Sequence, residues 1–312
     1  MKIYKKNFLQ FKTINSCPIC KSNNLIFISN IKSKVRAIDS LFDLLKCNDC
    51  FHRTISKLPK ENFLKKLYKK DSPLVFGGVH TELLLKKNFK MGKFEKVEPY
   101  ENHWIFNFVE IAKGNYFELG PGLCRLYKTF FKRGWKCQGL ELRSFVKAPG
   151  LKNNLNKINP EKDVAVALDV LEHVIDPIKY LKNINKKIKK GGKIFLSFPN
   201  ADSFKSRILK DKWSMVCPLA HIHYFSEKST RIMMKKADFD IVLIEDFSYV
   251  IPRRLLRNIL KLPIFFITDL LRLRFKNFIL RLVENFFNIL DLIKGDQLKV
   301  VGKKIKKNSR SY

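Results

Sequence analysis

Four cysteines and a glycine loop flanked by carboxylates are the residues of this chain whose spacing could do chemistry. Cys17-Pro-Ile-Cys20 and Cys47-Asn-Asp-Cys50 form two C-x2-C pairs with 26 residues between them, which can set four thiolates around one tetrahedral Zn²⁺. Four thiolates fill the tetrahedron and leave no position for water, so such a site is structural. Loops this short let backbone amides point back at the sulfurs, although Lys21 and Phe51 stand where Gly most easily makes the turn. Leu25-Ile-Phe-Ile28 and Leu41 to Leu45 are expected to pack beneath the metal, and His52 reads as a bystander. The second constellation is Tyr116-Phe-Glu-Leu-Gly-Pro-Gly-Leu-Cys124, followed by Cys137-Gln-Gly-Leu-Glu141. Gly120 and Gly122 let the backbone turn tightly after an apolar strand and approach a ligand with no Cβ in the way. Glu141 follows Gly120 by 21 residues, near the spacing at which an acidic side chain accepts hydrogen bonds from ribose hydroxyls. The chemistry is the binding of a nucleoside cofactor.

The elements that must position these residues alternate. Strands are expected at Tyr116 to Leu119, Lys136 to Glu141, Asp163 to Val170, Lys193 to Phe198, Asp240 to Ile244 and Gln297 to Val301. Helices are expected at Leu123 to Lys132, Pro177 to Lys189 and Glu227 to Ala237, the last capped by Ser226. Upstream, Leu58 to Tyr68 and Glu101 to Ala112 read as helical, and Asp71-Ser-Pro-Leu-Val-Phe-Gly-Gly78 as a break. Such alternation argues for a parallel sheet covered on both faces.

A chain of 312 residues, 46% apolar, can bury one sizeable core and a small module. Its net charge of +34 invites a nucleic-acid or anionic-membrane reading. The excess is mostly Lys, however, spread along the whole chain beside many Asn and Ile, as codon bias in an AT-rich genome would produce. Residues 1 to 16 lack the apolar core of a signal peptide, so a cytoplasmic, reducing location is expected, with the cysteines ligating metal. No apolar run approaches the roughly 18 to 20 residues of a membrane span.

Taken together, these segments resemble the class I S-adenosylmethionine-dependent methyltransferases, in the branch acting on sugars, quinones and other small molecules. Glu118-Leu-Gly-Pro-Gly resembles the family's cofactor loop and Glu141 its ribose-binding acid. Asp163-Val-Ala-Val-Ala-Leu-Asp-Val-Leu-Glu-His-Val-Ile-Asp-Pro177 resembles the strand, loop and helix entry that follow. Gly191-Gly-Lys-Ile-Phe-Leu-Ser-Phe-Pro-Asn200 resembles the next strand, and Trp213 with His221-Ile-His-Tyr-Phe-Ser226 the loop after it. The N-terminal knuckle is similar to that of the sugar C-methyltransferases. The resemblance implies a Rossmann-like, doubly wound α/β sheet of seven strands and S-adenosylmethionine as cofactor. It also implies that the methionine end of the cofactor is held near Leu168 and Asp169, largely through backbone atoms. Two departures stand out: Cys124 replaces a third loop glycine, and only 22 residues separate Glu141 from Asp163, where the family fits a helix, a strand and an adenine-reading acid. Asn154 or Asn156 could read the base edge there; a shortened loop with solvated amides is the alternative.

Methyl transfer from a sulfonium is an in-line displacement in which positive charge disappears, so the protein mainly aligns donor and acceptor and excludes water. A hydroxyl or activated carbon acceptor must also lose a proton, and His titrates nearest neutrality. The candidate catalytic residues are His173 beside Glu172, and His221 or His223 beside Tyr224. His173 has the alternative of bracing the cofactor loop. Because alternate residues of an extended segment share a face, His221 and His223 are expected to line one pocket. His80 and His103 read as packing residues.

The expected organisation is a zinc module at 1–70, linker and lid helices at 71–112, the methyltransferase core at 113–250, a basic amphipathic helical insertion at 251–294, and the last strand with a tail at 295–312. From 251 to 312, 15 Lys or Arg stand against four Asp or Glu, a charge of +11, with Phe, Leu and Ile between them. Such a stretch suits peripheral contact with anionic lipid at the inner face of a membrane, or a helical cap over the sheet. The activity implied is methylation of carbon or oxygen on a small acceptor: a sugar, a sugar-nucleotide or a lipid-linked glycan. The rivals are an RNA methyltransferase, which the charge and zinc module favour, and a Rossmann-like scaffold that has lost its cofactor. Against the RNA reading, the segment after the Asp163 strand lacks a Pro-Pro-aromatic element.

Overall fold

The computed structural model describes residues 11–32, 41–64, 94–142, 147–248, 258–264 and 275–305. The Asp71 to Gly78 break, His80, residues 143–146, and the basic stretches at 252–257 and 271–274 lie outside the described residues. The N-terminal module contributes five strands: β1 (Phe11–Thr13), β2 (Leu25–Lys32), β3 (Leu41–Cys47), β4 (Arg53–Ile55) and β5 (Lys57–Pro59). β1 and β5 pair antiparallel, and β2, β3 and β4 form a meander.

The larger sheet is built from β6 (Asn115–Leu119), β7 (Lys136–Leu140), β8 (Leu151–Lys152), β9 (Lys162–Leu168) and β10 (Ile188–Pro199), with β12 (Phe239–Phe247) and β13 (Gln297–Lys304). Its order is β12-β13-β10-β9-β6-β7-β8. The pairs among β6 to β10 are parallel, whereas β13 runs antiparallel to both β10 and β12. The central strands are apolar at successive positions because helices cover both faces. Phe117, Leu119, Ala165, Ala167 and Leu196 are buried on one side with Leu181 and Ile184 of helix α2 (Pro177–Asn185). Tyr116, Val164, Val166 and Phe195 are buried on the other with Tyr127 and Phe130 of helix α1 (Arg125–Lys132). Each fully buried side chain of Phe or Leu size contributes about 1.5–3 kcal/mol, so these two layers hold β6 and β9 side by side.

Local signals set the helix starts. Asp176 accepts from the amide of Lys179 and Pro177 takes the first turn of α2, where its missing N–H costs nothing. Ser226 and Ser229 form a reciprocal capping box on helix α4 (Glu227–Lys236), which follows the short helix α3 (Phe204–Leu209). The last helix is α5 (Phe275–Ile293).

Four expectations change. Leu58 belongs to β5 rather than to a helix, since it pairs with Lys12 and is buried; one helical turn follows at 61–64 and the remainder lies outside the described residues. The Glu101 to Ala112 stretch holds only a 3₁₀ segment, Trp104–Phe108, in keeping with an aromatic and β-branched run of low helix propensity. α2 stops at Asn185 because β10 begins at Ile188, bulging between Ile188 and Lys193 where Gly191 takes φ 76°. The interval after Glu141 holds an edge strand, β8, and a 3₁₀ turn Leu155–Lys157. Asn154 is committed there as that turn's cap, accepting from the amide of Asn156.

The two sheets are not separate. β11 (His223–Tyr224) leaves the core and pairs with β4, which extends the module's sheet to four strands. Buried Arg53 donates to Ser206 O, Ser206 Oγ and Ala201 O at 2.9–3.2 Å, and Thr54 Oγ1 donates to Ile222 O at 2.8 Å.

Candidate active site and cysteine cluster

The strand order reverses between β6 and β9, and it is at such a switch point that the carboxyl ends of parallel strands open a crevice. The loop leaving β6 carries three left-handed residues in five: Gly120 at φ 59°, Gly122 at 54° and Cys124 at 56°. A Cβ on Gly120 would meet Val170 Cγ2 at 3.2 Å, so the loop is tightly seated as well as left-handed. Cys124 adopts the conformation a third glycine would supply and stands at the N-cap of α1, at a cost of about 1–2 kcal/mol.

Carboxylates close the crevice on both sides. Glu141 ends β7, is buried, and its amide donates to Lys152 O at 2.9 Å. Glu118 is buried beneath the loop, where Tyr116 Oη donates to its Oε2 at 2.8 Å. Burial pushes Glu118 up to about 8; the Tyr116 hydrogen bond opposes that and the charge of Glu141 adds to it. On the β9 side Leu168 is half-buried and Asp169 sits at φ 53°, its amide donating to Ser197 O and its Oδ1 accepting from Ser197 Oγ at 3.4 Å. Although solvent reaches Asp169, the surrounding protein and then the Asp296 charge raise it to about 6 against the Ser197 hydrogen bond. A left-handed, glycine-bearing loop between strand-end carboxylates fits a nucleoside with an amino-acid tail.

The 3₁₀ turn Leu171–His173 brings the next group to this end of β9. Glu172 is 1% exposed, and its Oε2 has no hydrogen-bond partner among the described residues. Burial, then the charge of Asp169, raises its pKa well above the ordinary carboxylate range. Its Oε1 lies 3.9 Å from His173 Nε2. His173 Nδ1 donates to Ala220 O at 2.5 Å and His221 Nδ1 to Met215 O at 2.8 Å; the two rings are 4.9 Å apart at 63°. Glu172, His173 and His221 thus come together.

His223 and Tyr224 do not join them. His223 faces the module: its Nε2 donates to Ile175 O at 3.2 Å, which leaves Nδ1 to accept from His52 Nε2 at 3.1 Å. Full burial pushes it down to about 4, so it is a poor base near neutrality. Tyr224 is buried and pushed well up by that burial; its Oη donates to His221 O at 3.0 Å, so it steadies the backbone of His221. His52, read from sequence as a bystander, is a completely buried member of this contact, and its place two residues after Cys50 was the available signal. His103 serves as a cap, accepting from the amide of Ile105.

Across the interface, Cys17 Sγ and Cys50 Sγ are 3.5 Å apart, as are those of Cys20 and Cys47, and all four sulfurs lie within 4.8 Å of one another. Lys21 at φ 74° and Phe51 at φ 61° take the left-handed positions of the two knuckles, and their amides donate to Cys17 O and Cys47 O. Both turns therefore form without glycine. A hydrogen bond from Cys50 and the amides of Cys20 and Ile19 hold the Cys17 thiol down to about 5 against its burial. This donor set fits Zn²⁺. Ser226 Oγ donates to Cys50 O at 2.6 Å and Lys236 Nζ to Ile19 O at 2.8 Å, which ties the cluster to α4.

Comparison with known proteins follows this geometry. A family model described as a methyltransferase domain matches residues 81–244. A search of curated proteins finds no match. Among solved structures, the chain is similar to one of a complex between the Haloferax volcanii Trm112 methyltransferase activator and a methyltransferase. That match has 12% identity and a TM-score of 0.46, covering 73% of this chain and 97% of the other. It is similar to a SAM-dependent methyltransferase from Archaeoglobus fulgidus at 16% identity, over 71% of this chain and 99% of that one, with a TM-score of 0.46. It is also similar to a Haemonchus contortus phosphoethanolamine N-methyltransferase in complex with S-adenosyl-L-methionine, at 15% identity, over 90% and 69%, with a TM-score of 0.43.

Proposed function

The chain belongs to the methyltransferase-domain family, and from that premise we propose that it moves a methyl group from S-adenosylmethionine to carbon or oxygen of a small acceptor. The observation that carries this reading is the cluster of Glu172, His173 and His221 beside Asp169, just after the carboxyl end of β9. Glu141 would take the ribose hydroxyls, and the backbone of 120–122 and 168–169 the amino-acid end. The cluster of His173, His221 and Glu172 would promote loss of the acceptor's proton as its oxygen or carbon attacks the methyl group. A sugar or sugar-nucleotide is the acceptor class the cysteine module favours. Calorimetry tests the cofactor half: S-adenosylmethionine should release heat with the wild type and not with Glu141→Ala. No heat with folded, zinc-loaded wild type would instead support a scaffold.

One further surface supports contact with an anionic bilayer. α5 turns Asn285 inward, 8% exposed, while Ile279, Leu282, Val283, Phe286, Ile289 and Ile293 line its solvent side at helical spacing, with Phe286 53% exposed. The sequence from 251 to 312, which contains this helix, carries a net charge of +11, and such charge complements lipid phosphates. No helix among the described residues is long and apolar enough to cross a membrane, so the contact would be in-plane. Flotation with phosphatidylglycerol vesicles should carry the wild type but not Phe286→Asp. Equal recovery with neutral vesicles, or a concentration-dependent dimer that Phe286→Asp dissociates, would reject lipid as the occupant.

A further inference from the structure

We infer that Glu172, His173 and His221 form a second metal site, for a divalent cation that accepts nitrogen and oxygen ligands. Each residue offers one ligand atom, and the three atoms lie within 4.8 Å of one another, so small side-chain rotations bring them around a single ion. The imidazoles are held as metal-binding imidazoles are. A carbonyl can only accept, so the bonds to Ala220 O and Met215 O place each proton on Nδ1 and leave the lone pair on Nε2. That tautomer is the one a cation requires, and each backbone anchor limits its ring to small turns. The anchoring continues behind the ligands, where the Ile222 amide donates to Glu172 O at 2.8 Å and Tyr224 Oη donates to His221 O.

The independent pointer is Glu172. Its carboxyl is 1% exposed and its Oε2 finds no donor among the described residues. Buried carboxyl oxygens are satisfied by donors or by cations, and an orphan of this kind calls for a missing partner. Two neutral imidazoles and one carboxylate form a 2-His-1-carboxylate set, which suits Mn²⁺, Fe²⁺ or Zn²⁺ and leaves coordination positions open. This set is chemically distinct from the four thiolates of the module, which select softer ions and present no open position.

The site's catalytic use rests on the methyltransferase reading above. An acceptor hydroxyl that binds an open position through its oxygen loses its proton to water, because the cation lowers that hydroxyl's pKa. The oxygen lone pair then forms the bond to the methyl carbon as the carbon–sulfur bond breaks. Its electron pair returns to sulfur, turning the sulfonium into a neutral thioether, with one proton released overall. In this account His173 and His221 serve as ligands and the cation replaces a protein base.

Titration of zinc-loaded full-length protein with Mn²⁺, following the electron paramagnetic resonance of the free ion, tests the proposal. Expected is one Mn²⁺ bound per chain beyond the zinc, with affinity falling at least about 100-fold in Glu172→Gln and in His221→Gln, given that loss of even an outer partner costs 10–100-fold. His223→Gln should keep the ion. A wild type that binds no Mn²⁺, or a Glu172→Gln that binds it equally, overturns the site. Heat with S-adenosylmethionine in parallel shows that each variant is folded and separates the two readings: cofactor heat without Mn²⁺ sinks the metal site alone. Mn²⁺ binding without cofactor heat keeps the site and sinks the methyltransferase reading.

Discussion

Two histidine pairs meet at His221 and His223, only two residues apart in the chain, and their surroundings are opposite. His221 packs on His173 beside a buried carboxyl with an oxygen left over. His223 packs on His52 within an interface where its two nitrogens are taken by Ile175 O and the neighbouring ring. The second pair is a strut between the cysteine module and the turn that carries Glu172. The first pair lies beside Glu172, whose buried Oε2 lacks a hydrogen-bond partner among the described residues, and such atoms mark the places where a ligand or an ion completes the structure. Residue type is the same for both; the difference lies in which groups surround each ring.

Removing the metal from the cysteine cluster should have the largest effect on this arrangement. Structural zinc in small modules contributes on the order of 10 kcal/mol, and β11 is paired to that module through β4. Chelation, or Cys17→Ser, is expected to open residues 41–59 to protease and to lower the melting temperature. Unchanged proteolysis would mean that the core alone holds the strut. His173→Gln and His221→Gln should each cut turnover by about 10²–10⁴-fold with cofactor affinity intact, as read by steady-state kinetics beside calorimetry. Retained turnover would remove the contrast between the pairs.

Glu118 sharpens the comparison, being a buried carboxyl that does have a donor, Tyr116 Oη. It is expected to ionise near its ordinary value of 4.5 when unfolded and near about 8 when folded. The folded state therefore holds that proton more tightly. The stability it contributes is complete below about 4.5 and is lost as pH rises through about 8. Glu118→Gln keeps an acceptor for Tyr116 and should flatten the decline of melting temperature across that window; the effect is on the order of a few kcal/mol. A parallel decline in both proteins would contradict it. His223→Gln should give the smallest change, about 1–3 kcal/mol of destabilisation by denaturant titration with turnover kept, because it disturbs the partners of His52 and Ile175 O.

Much of this could be read from the chain. The alternation of apolar runs, the Asp176-Pro177 and Ser226 caps, the glycine loop with Glu141, and the two cysteine pairs are local signals, and local signals survive in sequence because each depends on neighbours only a few residues away. The cysteine turns show where such reasoning is too strict: Lys21 and Phe51 adopt left-handed backbone that glycine would make cheaper. Leu58 and the Trp104–Phe108 segment show where helical patterning loses to pairing and packing. The 22-residue interval after Glu141 left no pattern long enough for β8 to be seen, since a two-residue edge strand is held by its neighbour rather than by its own composition.

Sequence by itself determined the alternating α/β plan, six strands of its sheet, the two cysteine pairs and the glycine loop, because periodicity and short-range spacing dictate them. Only the tertiary structure decided that His221 belongs with Glu172 and His173 while His223 belongs with His52. It alone also made β11 a strand of the cysteine module's sheet. The physical reason is that a ring's role follows from the donors, acceptors and charges folded against it, and here most of those come from segments between 47 and 171 residues away in the chain, Met215 O beside His221 being a local exception.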